Sequence, residues 1–157
     1  MRLLIVITTV ILSIGCNSKL KETKSSEKDV TTNAILKYLE NGQIGSNRFI
    51  FEEIAFSRSS VKLKKEYTIY IQHLSTILEN HNVSLLIEVY SNDTESSDLN
   101  KQISIARANA IKTELIKTGM DEDRITTKGT FGDLSIGNKS SRQERVMTQR
   151  ITLIINP

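Results

Sequence analysis

The sequence predicts a small α+β domain, in which a mixed β-sheet carries helices packed on one of its faces. Two apolar patterns indicate this fold class. Apolar residues recur at helical spacing in residues 61–80 and again in residues 97–117, and they alternate with polar residues in residues 83–90. The expected elements run in the order strand, helix, strand, helix, strand, helix and strand. That order fits one layer of helices over one sheet.

The first half of this domain is expected to hold a strand, a helix and a second strand. Aromatic and apolar residues between positions 49 and 56 predict one strand or a bent pair of strands. The serine-rich turn at residues 57–60 contains residue types that cap helices, and it precedes a helix expected from Val61 to Asn80. The strand over residues 83–90 directs four aliphatic side chains to one face: Val83, Leu85, Ile87 and Val89.

A long helix is expected to follow the polar loop after this strand and to end at Lys117, before Gly119. Ser96, Ser97 or Asp98 is its predicted N-cap, because short side chains with an oxygen atom accept hydrogen bonds from the first-turn amides. The residues expected to form its buried stripe are Leu99, Ile103, Ala106, Ala110 and Ile111.

The last part of the chain predicts short elements around a loop that contains glycines. A short strand is expected over residues 125–128, and a mobile loop with three glycines over residues 129–140. A short helix is then expected over residues 142–148, and a closing strand over residues 149–155. These two strands complete the predicted sheet.

Composition and charge argue against several classes of function. Hydrophobic residues make up 38% and charged residues 25% of the chain, which is typical of a soluble globular domain. A net charge of +3 with only 5% aromatic residues does not predict a basic, aromatic surface, so no nucleic-acid partner is expected. His73 and His81 are eight residues apart without a neighbouring cysteine or carboxylate array, so no metal or other cofactor is expected.

The first fifteen residues have the features of an export signal. Arg2 supplies a positive charge, and residues 3–14 are nearly all apolar. A helix that crosses a bilayer needs about 20 apolar residues, so this run is too short to be a membrane span. A charged start, a short apolar run and a small residue at the junction predict that residues 1–15 are a signal peptide that is removed.

Cys16 is the only cysteine of the chain and directly follows this signal. The junction Leu12-Ser13-Ile14-Gly15-Cys16 resembles a bacterial lipobox, although Ser13 stands where that motif prefers Leu. The resemblance implies cleavage before Cys16 and attachment of lipid, palmitate included, which would anchor the chain to the outer membrane. A lone cysteine in an exported protein has no disulfide partner, which agrees with lipidation. The alternative is an ordinary secretory signal followed by an incidental cysteine.

Residues 16–46 are predicted to comprise the lipidated cysteine and a flexible tether. Residues 17–29 are polar and of mixed charge with one apolar residue, so they cannot bury a core. Apolar residues between positions 34 and 39 predict either a short amphipathic helical turn, ended by Asn41-Gly42, or part of the linker. The folded domain is expected to comprise residues 47–157.

Three motifs in this domain share the order and spacing of a known family. The first contains Val89-Tyr90-Ser91-Asn92-Asp93 and, after a gap, Asn100 to Ala108 with its Arg107-Ala108 pair. The second is Arg124-Ile125 followed by Phe131-Gly132-Asp133, and the third is Arg145-Val146-Met147-Thr148-Gln149-Arg150-Ile151. Residues 47–157 therefore resemble the OmpA-like peptidoglycan-binding domain, including that of peptidoglycan-associated lipoproteins.

The resemblance implies a site for the diaminopimelate side chain of the cell-wall stem peptide, which ends in an ammonium and a carboxylate on one carbon. Arg107 matches the family's arginine, and a guanidinium binds a carboxylate through two parallel hydrogen bonds. Without an alignment gap the family's aspartate falls on Asn92, whereas a shifted loop would bring Asp93 to that place. Asn100 and Arg145 complete the implied peptidoglycan-binding residues.

As a whole, the resemblance implies a non-catalytic outer-membrane lipoprotein whose domain faces the periplasm and holds the membrane to peptidoglycan. The alternative is an envelope adaptor with a degenerate wall site that binds another protein. An enzyme is not expected, because the sequence has no Gly-x-Ser-x-Gly motif, no zinc motif and no carboxylate pair at a marked spacing.

Overall fold

A computed structural model describes residues 29–131 and 149–157 of the chain. The predicted signal peptide, Cys16 and the polar tract up to residue 28 lie outside these residues. The helix expected over residues 142–148 and nearly all of the expected glycine loop lie outside them as well. Within the described ranges, none of the helices is both long and apolar enough to cross a bilayer.

The described residues form three α-helices and four strands. The helices are α1 (Val30–Glu40), α2 (Thr68–Glu79) and α3 (Ser97–Lys117), and the strands are β1 (Arg48–Ile50), β2 (Ser84–Ser91), β3 (Ile125–Thr130) and β4 (Gln149–Asn156). The α+β fold class is therefore confirmed, and the bounds of β2, α3 and β4 lie within a residue or two of those predicted.

The four strands form one mixed sheet in the order β1-β4-β2-β3. The central strand β4 pairs antiparallel with both β1 and β2, whereas β2 and β3 are parallel. Parallel neighbours need a long crossover connection, which α3 supplies. As a result, β2 and β3 end at the same edge of the sheet, and the N-terminus of α3 lies close to that edge.

One face of the sheet packs against the helices. The side chains of Leu85, Ile87 and Val89 on β2 are buried there, as their alternation predicts, and they share one core with residues of all three helices. On the opposite face, Glu88 forms ion pairs with Arg48 at 2.7 Å and with Lys128 at 2.8 Å. The helices therefore cover a single face, which confirms the predicted layering.

Helix α1 belongs to the folded part, so the predicted start of the domain at residue 47 is too late. Asp29 caps this helix by accepting a hydrogen bond from the Thr32 backbone amide at 3.1 Å. Ile35 and Leu39 are buried in the common core. Of the two alternatives for residues 34–39, the amphipathic helix is correct, because its apolar residues have a core to bury against.

Helix α2 begins at Thr68, seven residues later than predicted. Lys64 is still extended, and a single 3₁₀ turn over Lys65–Tyr67 precedes the α-helix. The serine turn at residues 57–60 does not cap this helix, because its backbone groups bind side chains from elsewhere in the fold. The spacing of apolar residues could not reveal that competition.

The buried face of α3 is more polar than its sequence suggests. Leu99 is 44% exposed, and Ala106 and Ala110 are only half-buried. The prediction that these three residues belong to the buried stripe is therefore wrong. The stripe instead contains Asn100, Ile103, Ser104, Arg107, Ala108, Ile111 and Leu115. An apolar pattern alone cannot identify this face, since its polar members are buried by forming hydrogen bonds.

Gly129 lies within β3, which is two residues longer than expected and includes the start of the predicted mobile loop. A Cβ atom added at this glycine would lie 2.5 Å from the Ser104 Oγ and 2.7 Å from the Ile105 backbone nitrogen. The missing side chain therefore allows α3 to lie directly on β3. This close approach holds the first half of α3 over the edge where β2 ends.

Arg124, which begins the second family motif, has a structural role. Its guanidinium donates hydrogen bonds to the carbonyls of Leu78, His81 and Val83 at 2.6 to 2.9 Å. These carbonyls lie at the C-terminal end of α2 and just beyond it, where helical carbonyls have no partner within the helix. Arg124 therefore fixes the end of α2 to the start of β3.

Candidate functional site

The candidate site lies where β2 ends and α3 begins. Ser96 caps α3, and its Oγ accepts a hydrogen bond from the Leu99 backbone amide at 3.3 Å. Ser96 was one of the three caps expected from the sequence. Because α3 starts only a few residues after β2, the first turns of the helix face the loop that holds Asn92 and Asp93.

Asn100 holds this loop in place from the first turn of α3. Its Oδ1 accepts from the Thr94 backbone amide at 2.9 Å, and its Nδ2 donates to the Thr94 carbonyl at 2.8 Å. The same Nδ2 lies 3.4 Å from Oδ1 of Asn92. Asn100 is buried and its polar atoms are used by the loop, so in this structure it positions the site.

Arg107 faces the loop, as expected, and its partner there is Asp93. The Nη2 atom of Arg107 lies 2.5 Å from Oδ2 of Asp93, and Nη1 lies 3.3 Å from Oδ1. Asn92 is half-buried and directs its amide towards Asn100. The sequence left open whether Asn92 or Asp93 stands in the place of the family's aspartate, and Asp93 is the one that contacts Arg107.

Further hydrogen bonds surround the Arg107 guanidinium. Nε donates to the Ser60 carbonyl at 2.8 Å and Nη2 to the Ser57 carbonyl at 3.0 Å, while Nη1 lies 3.3 Å from the Ser91 Oγ. The Phe56 ring lies 5.1 Å from the guanidinium carbon. No part of Arg107 is exposed to solvent. Arg107 is therefore not an ordinary charge on a solvated helix surface.

Residues 57–60, here called the strap, form the outer side of this arrangement. The Ser60 amide donates to the Ser57 carbonyl at 2.9 Å, which closes a tight turn. The Ser59 amide donates to Oδ2 of Asp93 at 2.7 Å, so the strap binds both members of the ion pair. Arg58 is exposed, and its Nε donates to the Asp93 carbonyl at 3.3 Å.

Asp93 is ionised in this environment. Burial by itself raises the pKa of its carboxyl, but the hydrogen bonds from Arg107 and from the Ser59 amide, together with the positive charge of Arg107, outweigh burial. Gln149, at the start of β4, adds a hydrogen bond from Nε2 to Oδ1 at 3.0 Å. The net result is a pKa below the ordinary value for aspartate.

Chemically, the site is a carboxylate and a guanidinium held in direct contact. Asp93 matches an ammonium, and Arg107 matches a carboxylate through two parallel hydrogen bonds. A ligand that carries both groups on one carbon complements the two together. Among residues 29–131 and 149–157 there is no group of three or more His, Cys, Asp or Glu side chains placed to hold a metal ion.

Two of the residues expected to be functional, Cys16 and Arg145, lie outside the described residues. Sequence reasoning also missed the contacts that complete the site, which come from Phe56, Ser57, Ser59, Ser60, Ser91 and Gln149. Ser91 and Gln149 stand inside the quoted motifs, so their place in the sequence could have indicated that they belong to the site. The strap contributes mainly backbone groups, which every residue type has, so its sequence could not indicate its role in the site.

The sequence pattern of the OmpA family matches residues 55–148, more than half of the chain. The chain belongs to the OmpA family. The matched range contains the strap, the loop that follows β2 and the whole of α3, so the Asp93–Arg107 pair lies inside the family domain. The resemblance inferred from three short motifs is therefore confirmed.

Two relatives resemble the chain over more than half of its length. Outer membrane protein Omp38 of Acinetobacter baumannii is 27% identical over 100 residues, which cover 62% of this chain and 28% of that protein. The probable lipoprotein YiaD of Escherichia coli is 25% identical over 105 residues, which cover 66% of this chain and 48% of that protein. The match therefore spans less than half the length of each of these relatives.

Solved structures share the fold at lower identity. The periplasmic domain of Helicobacter pylori MotB superposes with a TM-score of 0.59 at 14% identity, covering 69% of this chain and 73% of that one. The peptidoglycan-associated lipoprotein from Burkholderia pseudomallei gives 0.58 at 17% identity, covering 66% of this chain and 88% of that one. The OmpA-like architecture is therefore confirmed.

Proposed function

We propose that this protein is a non-catalytic outer-membrane lipoprotein that binds peptidoglycan through the diaminopimelate group of the stem peptide. Its domain faces the periplasm, and lipid on Cys16 links the outer membrane to the cell wall. The observation that carries the proposal is the contact between Asp93 and Arg107 inside an OmpA family domain. No cofactor is needed, because the function is binding alone.

Binding of this ligand would exchange the ion pair of the free protein for two new ones. In the free protein Asp93 and Arg107 neutralise each other. A ligand with an ammonium and a carboxylate on one carbon gives each residue a new partner, so one ion pair is replaced by two. The pair that is lost and the two pairs that form are all charge-assisted, so the exchange gains one such pair. Separating a buried pair opposes it, so a single site is expected to bind weakly.

The remaining candidate residues have supporting roles in this proposal. Asn92 is half-buried at the loop surface, where its amide oxygen is a further acceptor for the ligand ammonium. Asn100 keeps the loop in the conformation that directs Asp93 towards Arg107. Arg145 is proposed as a second cation for the stem peptide, on its match to the closing motif of the family.

The anchor and the domain act together in this function. Thirteen residues lead from Cys16 to Asp29, and such a length reaches at most about 45 Å when fully extended. Two weak attachments on one chain bind more firmly than either alone, because the second attachment is intramolecular. The name of the Escherichia coli relative, a probable lipoprotein, supports the anchor.

Sedimentation with purified sacculi tests wall binding. The full chain should sediment with the sacculi, and free meso-diaminopimelate should release it. Cadaverine is the matched control ligand, because it keeps both ammonium groups of diaminopimelate and the carbon chain between them but has no carboxylate, and it should not release the protein. Protein that stays in the supernatant would overturn wall binding, and release of soluble muropeptides would indicate an enzyme.

Membrane fractionation tests the anchor separately. The wild-type chain should fractionate with the outer membrane, and mass spectrometry should find acyl chains on Cys16. The Cys16→Ser variant should move to the soluble periplasmic fraction, and the protein recovered there should still bind sacculi. If Cys16→Ser leaves the distribution unchanged, the lipid anchor is wrong and wall binding is unaffected.

One observation favours a second candidate, an envelope adaptor that binds another protein. Arg107 has no exposed surface, and its donors already have acceptors from Asp93, Ser57 and Ser60. A site that stays closed in this way would be purely structural. Failure to bind both sacculi and meso-diaminopimelate, together with capture of a defined envelope protein, would support this candidate.

A further inference from the structure

The strap is the outermost cover of the Arg107 guanidinium. It supplies two of the guanidinium's acceptors, the carbonyls of Ser57 and Ser60, and two donors to Asp93, the Ser59 amide and the Arg58 Nε. The other groups around the guanidinium are Asp93 in the loop after β2, Ser91 at the end of β2 and the core residue Phe56. The strap alone consists of residues that are exposed or half-buried.

We propose that the strap is a gate over the Arg107 guanidinium, and that lifting it makes this group available to an anionic ligand. This inference rests on the proposed function, because it describes how the same site opens. Opening by movement of α3 would disrupt the core, since Ile103, Ala108 and Ile111 on that helix are buried. Opening by the strap disrupts its own turn and its hydrogen bonds to Arg107 and Asp93, and it leaves the core packed.

The strap has the geometry expected of a part that can move by itself. It is bounded by the buried Phe56 on one side and by Leu63, which packs against the core, on the other. Residues between these two points belong to no helix or strand. Its backbone therefore can change conformation without changing the sheet or α2.

Ser59 is the residue that holds the strap closed at some conformational cost. Its φ angle is +53°, in the left-handed region that residues with a side chain rarely adopt. The closed turn persists because the Ser59 amide reaches Oδ2 of Asp93 at 2.7 Å. When a ligand ammonium binds the carboxylate of Asp93, the hydrogen bond from the Ser59 amide is weakened. Ser59 can then return to a more common backbone conformation.

A matched pair of substitutions at Ser59 tests the gate. Ser59→Pro removes the amide donor and fixes φ near −65°, so the closed turn cannot form. Ser59→Gly keeps the amide and adopts positive φ freely, so the turn stays closed. Gln43→Pro is the control, because Gln43 also has a positive φ of +63° and a bonded amide but lies after α1, away from the site.

Access to the guanidinium is measured on the full chain without any ligand. Hydrogen exchange at the Arg107 Nε, followed by nitrogen-15 NMR, and modification by phenylglyoxal, followed by mass spectrometry, both report exposure. Ser59→Pro should speed Nε exchange at least tenfold and make Arg107 reactive, while wild type, Ser59→Gly and Gln43→Pro stay protected. If Ser59→Pro is as protected as wild type, or wild type is already reactive, the gate is wrong.

Binding of meso-diaminopimelate then separates the gate from the proposed function. Ser59→Pro should bind this ligand several-fold more tightly than wild type and Ser59→Gly, because the gate no longer has to be opened. Equal binding by Ser59→Pro and wild type, despite faster exchange, would show that the ligand bypasses Arg107 and would overturn the gate. Binding by none of the variants, with faster exchange in Ser59→Pro, would remove the proposed function and leave the gate supported.

Discussion

Two ion-pair clusters in the described part of the molecule differ in burial, in the exposure of their cations and in the groups that complete their hydrogen bonds. Asp93 and Arg107 are buried at the end of the sheet, where backbone groups of the strap complete their hydrogen bonds. Glu88, Arg48 and Lys128 form the other cluster on the uncovered face of the sheet, where the two cations are 53% and 58% exposed.

Burial decides how strongly each cluster influences the stability of this fold. A buried ion has lost its hydration, so removing its partner leaves an uncompensated charge that costs about 3–5 kcal/mol. An exposed ion keeps most of its hydration, and a surface pair contributes about 0.2–1 kcal/mol. The buried cluster should therefore control stability and the conformation of the site, whereas the surface cluster should have little influence on either.

The largest effect is expected from Arg107→Ala. This substitution leaves Asp93 buried without its cation and removes the donors for the strap carbonyls, so the free energy of unfolding should fall by about 3–5 kcal/mol. Urea denaturation measures the loss. Arg150→Ala on β4 is the matched control, because Arg150 is exposed, and it should change stability by less than about 0.5 kcal/mol. A loss below about 1 kcal/mol for Arg107→Ala would contradict the role assigned to the buried pair.

Acid should weaken the buried cluster through Asp93. Its pKa is lower in the folded protein than in the unfolded chain, where it is about 3.9. The contribution of the pair is therefore complete above about pH 4 and is lost as the pH falls through the lower, folded-state pKa. Urea denaturation between about pH 7 and pH 3 should show this step in wild type. The step should be absent in Asp93→Asn, and an equal acid step in both proteins would contradict the assignment.

Asn100→Ala tests a buried contact of the same loop that is made by uncharged groups. It leaves the Thr94 amide without the acceptor that Asn100 supplies, which should cost about 1–3 kcal/mol and speed hydrogen exchange at that amide. Asn109→Ala on the exposed side of the same helix is the control and should leave that exchange unchanged. Unchanged exchange in Asn100→Ala would mean that the loop after β2 is held by other contacts.

The smallest effect is expected from Glu88→Gln in the surface cluster. Hydrogen bonding from Lys128, and to a lesser extent from Arg48, lowers the pKa of Glu88, so its carboxylate is charged at neutral pH. Neutralising it should cost no more than about 1 kcal/mol. Added salt should shrink the difference from wild type, because exposed charges are screened. A loss as large as that of Arg107→Ala would remove the contrast between the two clusters.

Periodicity was enough to predict the elements whose burial follows a simple rule. Strand β2 alternates as expected, with Leu85, Ile87 and Val89 in the core, and β4 and α3 begin and end close to the predicted residues. The two strands bury apolar side chains in a pattern that the local sequence determines, whereas for α3 the sequence predicted the bounds but not the buried face. The family motifs also placed Arg107 correctly opposite the loop after β2.

The remaining features depend on contacts between residues that are distant in sequence. Arg107 is buried because its acceptors include carbonyls of the strap, 47 and 50 residues earlier in the chain. The late start of α2 has the same origin, since the strap binds Arg107 and Asp93 and does not cap the helix. Residue type alone does not reveal how deeply a charged side chain is buried or which side chain a backbone carbonyl binds.

The buried N-cap of α1 has a mechanical consequence. Asp29 is almost fully enclosed, and its Oδ2 lies 3.1 Å from the Nδ1 atom of His73 on α2. Tension applied before Asp29 would enter the domain here and pull first on α1, whose Ile35 and Leu39 are buried in the common core. The load would then be resisted by the packed interior and shared with the edge strand β1, because the Thr31 Oγ1 donates a hydrogen bond to the Ile50 carbonyl at 2.8 Å.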